Sequence, residues 1–518
     1  MRDTKKRIPG PKSVCLHPLG SPDDYRGTAR KHHTVNGLVK AAGLLLASLL
    51  VAMLNCGGEG TPTIIVDSTA DTDSRDGVVT LREAILLASG ELAVADLDSE
   101  ETDNVGQWPG AQSSDRILFD SSTFTVPDGG IISLNAPLPT LSAGSDTIDG
   151  SRAGVIVDGG NQTFHCLTID SSQNVIKGLH IQNCLVGVKI EPGAKGNVIG
   201  TGNVISGNDE GILIGDASSD AGADSNVVKG NLIGVDASGS EPLGNRNGVH
   251  IHAEARANVI GGSDPGDRNI ISGNRGVGIT IRGSANIVQG NYIGTDASGT
   301  VAIPNGMEGI WIAPGGRDNI IGGSSAQERN VISGNDLFGL SISGVGATGN
   351  VVKGNYIGVD ASGSAALANR YGLVISNGPQ NNLIGGFRPG EGNVISGNSF
   401  FGVHVDGATT VGNSIRGNSI HSNGQQGIHT EDGGNGDLEP PVVTGVSPVT
   451  GTACPNCTVD IYSDSGDEGA VHEGSTVAEG DGGFTFEGSP SGPNITATTT
   501  DAEGNTSAFS RPLIAAVQ

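Results

Sequence analysis

Between Asn174 and Gly427 polar residues alternate with aliphatic ones in short runs, and a glycine or asparagine breaks each run after a few positions. Three such runs make a unit. The first opens Asn-x-Ile/Val, from Asn174, Asn197 and Asn226 through to Asn413. The second usually opens on another Asn, from Asn203 and Asn231 to Asn418, and the third on a Gly, from Gly187 and Gly211 to Gly427. Period-2 alternation puts each opening Asn and the next aliphatic residue but one on the same side of a strand. A helix is excluded, because strand formers dominate and glycine interrupts every segment.

The phrase Ile-Ser-Gly-Asn begins at Ile205, Ile271, Ile332 and Ile395, and Asn-x-Ile-Gly-x-Asp-Ala-Ser-Gly at Asn231, Asn291 and Asn355; each returns after 60 to 66 residues. Two kinds of unit therefore alternate. One carries a loop between its second and third strands, and the other a loop between its first and second, as at Ser263 to Arg268 and Phe387 to Gly392. Units that cannot bury their apolar face alone must stack. The pattern predicts an all-β right-handed parallel β-helix, with stacked Ile and Val inside and Asn side chains bonded from coil to coil. Earlier runs at Ile131 to Leu134 and Val155 to Val157 add coils, so the solenoid is expected over residues 116–436.

An open solenoid end exposes core and strand edges, so caps are expected. Thr80-Leu81-Arg82-Glu83 is a capping-box signature before an apolar run, predicting a helix that covers the first coil within a cap region over 57–115, followed by an acidic loop. Beyond Gly436 the repeat stops, and alternating stretches such as Thr458 to Tyr462 and Phe484 to Phe486 predict an immunoglobulin-like antiparallel β-sandwich over 437–518.

Composition narrows the function classes. The 518 residues include 85 Gly without a three-residue period, which excludes collagen. The formal charge is −26, which excludes general nucleic-acid binding. Residues 1–55 hold nine basic and three acidic side chains, leaving 20 basic against 52 acidic in the remainder. The uncharged run Ala41 to Leu54 is short for a membrane span and suits a signal-peptide core, so 1–56 is read as leader and anchor. Cys56 followed by Gly-Gly-Glu-Gly resembles a bacterial lipoprotein signal, which implies lipidation at Cys56; ordinary cleavage and an uncleaved anchor are the alternatives. Membrane contact is expected through this anchor alone. Cys454 and Cys457, in Cys-Pro-Asn-Cys, read as a small disulfide-closed turn in an oxidising compartment. Cys166 and Cys184 fall near one strand position in successive coils and either pair or remain buried thiols.

Gly290 to Thr300 (GNYIGTDASGT), Asn330 to Asn335 (NVISGN) and Asn319 to Gly323 (NIIGG) resemble bacterial cell-surface right-handed β-helix repeat proteins. Thr80 to Ile85 (TLREAI) is similar to the CSLREA segment of many of these, with Val79-Thr80 in place of its Cys-Ser. The stretch around Cys454 and Asp501 to Ser507 resembles their terminal sandwich. The resemblance implies the fold and an exported, surface or extracellular location; it carries over no catalytic residue.

Candidate chemistry lies on two outward rows. In the first strand the row reads Lys177, Gly200, Lys229, Gly261, Gln289, Gly322, Lys353, Gly385, Arg416. A polar, mostly basic side chain in every second coil suggests a track for an anionic glycan, with glycines leaving room for sugar rings; the plainer reading is a soluble face that resists stacking. In the third strand the row runs from Lys189 through His250, Trp311 and His404 to His429 and contains no carboxylate, which lowers the hydrolase reading. His250, Trp311 and His404 are candidates for an outward sugar or metal patch, although two and three coils of separation make a poor shared metal site. Asp236, Asp296 and Asp360 open Asp-Ala-Ser-Gly turns; a local turn role is the plainer reading, and Ca²⁺ is the one cofactor considered, with one clear carboxylate per loop against the about six to eight oxygens it takes. The leading expectation is a surface-anchored, non-catalytic β-helix protein that binds glycans or partner surfaces in adhesion. The alternatives are a polysaccharide-active enzyme, a lyase before a hydrolase, and a structural envelope spacer. The repeat carries no signal for oligomeric state.

Overall fold

The computed structural model describes residues 62–106, 114–125, 129–161 and 163–514. The leader, with Cys56, lies outside the described residues. Within them three long parallel sheets of 12, 11 and 10 strands run side by side, and successive strands of the chain pass from one sheet to the next. This is a right-handed parallel β-helix, the hand that parallel crossovers take. Each coil contributes one strand per sheet, at about 4.8 Å per coil.

The predicted runs fall where the pattern puts them. Ile176, Ile199, Val228, Ile260 and Val288 stack in register in the first sheet, and Ile205, Ile233, Ile271, Ile293 and Ile332 in the second. All are fully buried and belong to one continuous apolar core. The first unit, which lacks the second Asn, still forms its second strand at Leu179–Gln182.

The asparagines form ladders that run from coil to coil along the solenoid. Asn258 donates its Nδ2 to Asn286 Oδ1 (3.1 Å), and Asn286 donates to Asn319 Oδ1 (3.1 Å). The same acceptor oxygen receives the backbone N–H of the preceding rung. The first-strand ladder starts on two acids, since Asp115 donates its backbone N–H to Asp146 Oδ1 and Asp146 to Asn174 Oδ1. A second ladder links Asn203, Asn231, Asn269 and Asn291 up to Asn418. A third, which includes the Asn of each Ile-Ser-Gly-Asn phrase and was not expected to ladder, joins Asn208, Asn245, Asn274, Asn305, Asn335, Asn369, Asn398 and Asn423 just before the third strand. This ladder explains the glycine that opens each third strand. A Cβ on Gly278 would lie 2.5 Å from the Gly309 carbonyl oxygen and 3.0 Å from Asn305 Nδ2.

At the N-terminal end the helix Leu81–Ser89 begins with the predicted capping box: Thr80 accepts from the Glu83 N–H, and Glu83 accepts from the Thr80 N–H. Its buried face (Leu81, Ala84, Ile85, Leu87, Ala88) joins the solenoid core. The sheet starts earlier than residue 116, because Thr63–Val66 pairs with Arg116–Phe119 as its first strand. The acidic segment read as loop contains a second short helix, Ser99–Asp103, with its own capping box at Asp98.

At the other end, antiparallel sheets of three and four strands between Val442 and Ile514 enclose a separate small core around Val449, Val459, Ile461, Phe484 and Ile495. Segment Asp501 to Ser507 folds onto the last coil, with Thr506 Oγ1 accepting the Ile415 N–H (3.0 Å) and Gly504 O accepting from Ser414 Oγ (2.8 Å). Cys166–Cys184 and Cys454–Cys457 are disulfides.

Candidate functional site

The first-sheet row exists in register: Gly261 is the strand partner of Gln289, Gly322 of Lys353 and Gly385 of Arg416. It is not a row of free cations. Lys177 Nζ lies 3.0 Å from Asp149, Lys229 Nζ 3.0 Å from Asp267 and Lys353 Nζ 3.0 Å from Glu391. Asp267 and Glu391 come from the inserted loops, so those loops do converge on the row, as counter-ions. The glycines answer a backbone need. Gly322 has φ +88° and its Cβ would stand 2.1 Å from the Lys353 carbonyl oxygen.

Arg416 faces the C-terminal sandwich. Its Nε and Nη2 meet the two oxygens of Asp460 at 2.7 and 2.9 Å, and its guanidinium lies 4.5 Å from the Phe387 ring. Asp460 is fully buried. Burial pushes its carboxyl up, and the hydrogen bonds from Arg416 and Ser475 with the Arg416 charge outweigh this, holding it below the usual carboxylate range. Arg416 thus docks one folded unit on the other.

Asp236, Asp296 and Asp360 lie in separate loops, and each organises its own turn. Asp236 Oδ1 accepts the Ser240 and Glu241 N–H groups (3.0 and 3.1 Å), Asp296 Oδ1 those of Thr300 and Val301 (both 3.0 Å), and Asp360 Oδ1 those of Ser364 and Ala365 (3.3 and 3.2 Å). The loops stack on one another, with the Ala297 N–H donating to Gly239 O and Ala361 to Gly299 O.

The outward row of the third sheet is also in register, with Lys189, Leu213, His250, Thr280 and Trp311 as successive partners, and Ser341, Val374, His404 and His429 above them. The predicted patch of His250, Trp311 and His404 divides into three. His250 stacks on His252 with ring centroids 4.3 Å apart and faces Glu210 in the neighbouring coil, Nδ1 to Oε2 3.9 Å. Glu210 Oε1 accepts from Arg246 (3.0 Å) and Asn247 (2.8 Å), whereas Glu210 Oε2 and His250 Nε2 are buried without a hydrogen-bond partner. Burial raises the Glu210 carboxyl and lowers His250 to about 3, so this imidazole is neutral at physiological pH. Trp311 donates to Ser343 Oγ (2.7 Å) beside Arg282. His404 joins His429 and Glu431: His404 Nε2 is 2.8 Å from Glu431 Oε1, and His429 Nε2 is 3.4 Å from Oε2.

Beside this triad lies a ledge of aromatic rings. Tyr371 stacks on Phe400 (5.3 Å) and on His404 (6.0 Å), Phe401 stacks on His429 (4.2 Å), and Phe338 meets Tyr371 edge-on (5.4 Å). The Arg370 guanidinium lies 5.1 Å from the Phe400 ring. All four rings are partly exposed on the outer face. Phe338, Tyr371 and Phe401 each stand immediately before a third-strand glycine in consecutive coils. The sequence held a signal for them: with 2 Trp, 5 Tyr and 10 Phe in 518 residues, aromatics recurring at one repeat position are conspicuous.

No protein-family model and no curated protein matches the chain. Among solved structures it is similar to an alginate lyase from Paenibacillus sp. str. FPU-7 (14% identity, 64% of this chain and 97% of that one, TM-score 0.35). It is also similar to a mannuronan C-5 epimerase A-module from Azotobacter vinelandii (12% identity, 76% and 95%, TM-score 0.42). A third likeness is to a pectate lyase, Pel9A (14% identity, 61% and 76%, TM-score 0.30).

Proposed function

We propose that the protein is exported and binds an extended polysaccharide across the outer face of the third sheet. The observation that carries this reading is the ledge of Phe338, Tyr371, Phe400 and Phe401. Rings stacked in consecutive coils offer apolar faces to the C–H faces of sugars, while Arg370 at the margin supplies hydrogen bonds to hydroxyl groups. In a chain this poor in aromatics, such a grouping on a solvated sheet face supports a binding role over a packing role. The two disulfides support an oxidising compartment, and lipidation at Cys56 is the attachment we propose.

A second reading, action on the bound chain in the manner of a lyase, is favoured by Glu210. Its buried, under-bonded carboxyl with raised proton affinity lies beside the Arg246 cation, and that pairing suits proton transfer next to an acidic sugar. Affinity electrophoresis against acidic and neutral polysaccharides tests the first reading. A Tyr371→Ala, Phe401→Ala double variant is expected to lose at least ~10-fold in affinity, about 1.4 kcal/mol, with the fold intact; unchanged retardation in every gel would refute it. Release of unsaturated ends by the parent protein and its loss in Glu210→Gln decide the second.

A further inference from the structure

The structure assigns a metal site: we propose that His404, His429 and Glu431 bind one late first-row divalent ion, zinc or a neighbour such as cobalt or nickel. Nitrogen and carboxylate donors in this number are the set those ions take, and calcium is disfavoured because two of the three donors are imidazoles.

The solenoid builds the triad by register. His404 and His429 are strand partners in adjacent coils and point outward together, and Glu431 follows His429 by two residues on the same face. Their donor atoms all lie within 4.8 Å of one another. The two nitrogens already stand 2.8 and 3.4 Å from the carboxylate oxygens. Ligand-to-ligand edges around a tetrahedral zinc with bonds near 2.05 Å are about 3.3 Å, the range in which the two nitrogen-to-carboxylate separations fall.

An independent observation fixes the chemistry of His429. Its Nδ1 is 2.6 Å from Gln426 Oε1, an oxygen that only accepts, so Nδ1 carries the proton. Nε2 is then the ring nitrogen that faces Glu431 Oε2, on the side where His404 also presents its Nε2. Phe401 stacked at 4.2 Å holds the ring plane. A hydrogen bond to the far nitrogen and a packed ring face are the supports that metal-binding imidazoles use. Asp406, the strand partner of Glu431, adds a second acid at this level of the sheet. Three protein ligands on an open face leave coordination positions for water or for oxygens of a bound molecule, beside the aromatic ledge.

The test uses the tag-free protein, stripped with chelator and titrated with Zn²⁺ by calorimetry, with Co²⁺ as a visible-absorption probe. No glycan is present, so the outcome does not depend on the polysaccharide reading. One equivalent of zinc is expected to bind, and Co²⁺ to give ligand-field bands. His404→Ala and His429→Ala should each abolish both signals, with the parent circular dichroism spectrum retained. Glu431→Gln should weaken binding. Gln426→Leu, which touches no ligand atom of the metal, should weaken it by about 10-fold to 100-fold. A His250→Ala, His252→Ala double variant should bind as the parent does. Absence of zinc uptake, or uptake that survives in a folded His404→Ala, His429→Ala variant, overturns the assignment.

Discussion

Asn286 makes four hydrogen bonds with its side chain. Nδ2 donates to Asn319 Oδ1 and Ala255 O, and Oδ1 accepts from the backbone and side chain of Asn258. The residue is fully buried, so truncation strands partners that water does not reach. Asn286→Ala is expected to destabilise the solenoid by at least ~2 kcal/mol, since each buried polar group left unmatched costs about 1–3 kcal/mol; a shifted urea midpoint checks this. Two of the three ladders were legible because their Asn opens a strand. The third was visible only as the last letter of the Ile-Ser-Gly-Asn phrase, at Asn208, Asn274, Asn335 and Asn398, because these asparagines stand in a turn and open no strand. The rungs between them, such as Asn245 and Asn305, share no such phrase, so only the coil geometry shows that they continue the column. The His404 triad was half legible. The row of histidines could be read from period 2, but Glu431 sits one outward position further along the strand, and only the coil geometry brings its carboxylate back to both rings.

At the level of the strand, the alternation of glycine with long polar residues in the first sheet looked like spacing for a ligand. Its cause is the inserted loop of every second coil, which makes the chain leave the strand through a positive φ at Gly261, Gly322 and Gly385. That cause is invisible in composition, because glycine as spacer and glycine as backbone necessity are written with the same letter. Gly322→Ala separates the two. The added Cβ would lie 2.1 Å from the Lys353 carbonyl oxygen in a conformation that itself costs about 1–2 kcal/mol, so a loss of at least ~2 kcal/mol in stability is expected by thermal unfolding. A spacer role would leave stability unchanged. The counter-ions of Lys229 and Lys353 come from those same loops, so a charge tally along one strand missed the acids that neutralise it.

For the whole molecule, the junction between solenoid and sandwich carries a pH dependence. Glu468 of the sandwich accepts the Asn423 N–H and Nδ2 (both 3.2 Å) and so ends the third ladder. Burial, the largest influence, raises its carboxyl from 4.5 to about 7 against the Asn423 hydrogen bonds. Between those values the folded chain holds a proton that the unfolded chain has released. The contribution of Glu468 to stability therefore falls as pH rises from 4.5 to about 7 and is level outside that window. Melting temperatures of the parent and of Glu468→Gln, compared from acid to neutral pH, should show the parent losing ground to the variant across the window. A constant difference would mean that Glu468 titrates normally. The sandwich was legible as a fold, from alternation and turns, but not as a docking element. Arg416 read as one more member of a surface row, and its buried partner Asp460 lies 44 residues away in the sequence.

In the third ladder each amide passes one hydrogen bond to the next amide in the C-terminal direction and returns another to a backbone carbonyl of the preceding coil, so the amide-to-amide bonds all run one way. Such a column has a polarity and no natural length. One more coil would always be welcome at its growing end, whether from this chain or from another molecule. Glu468, which receives the last amide of the column and belongs to no further coil, and Thr506, seated on the last first-sheet strand, act together as a terminator. The protein is a finite object because a non-repeating fold closes its polar end, and a neighbour offering a matching column finds no place to continue it.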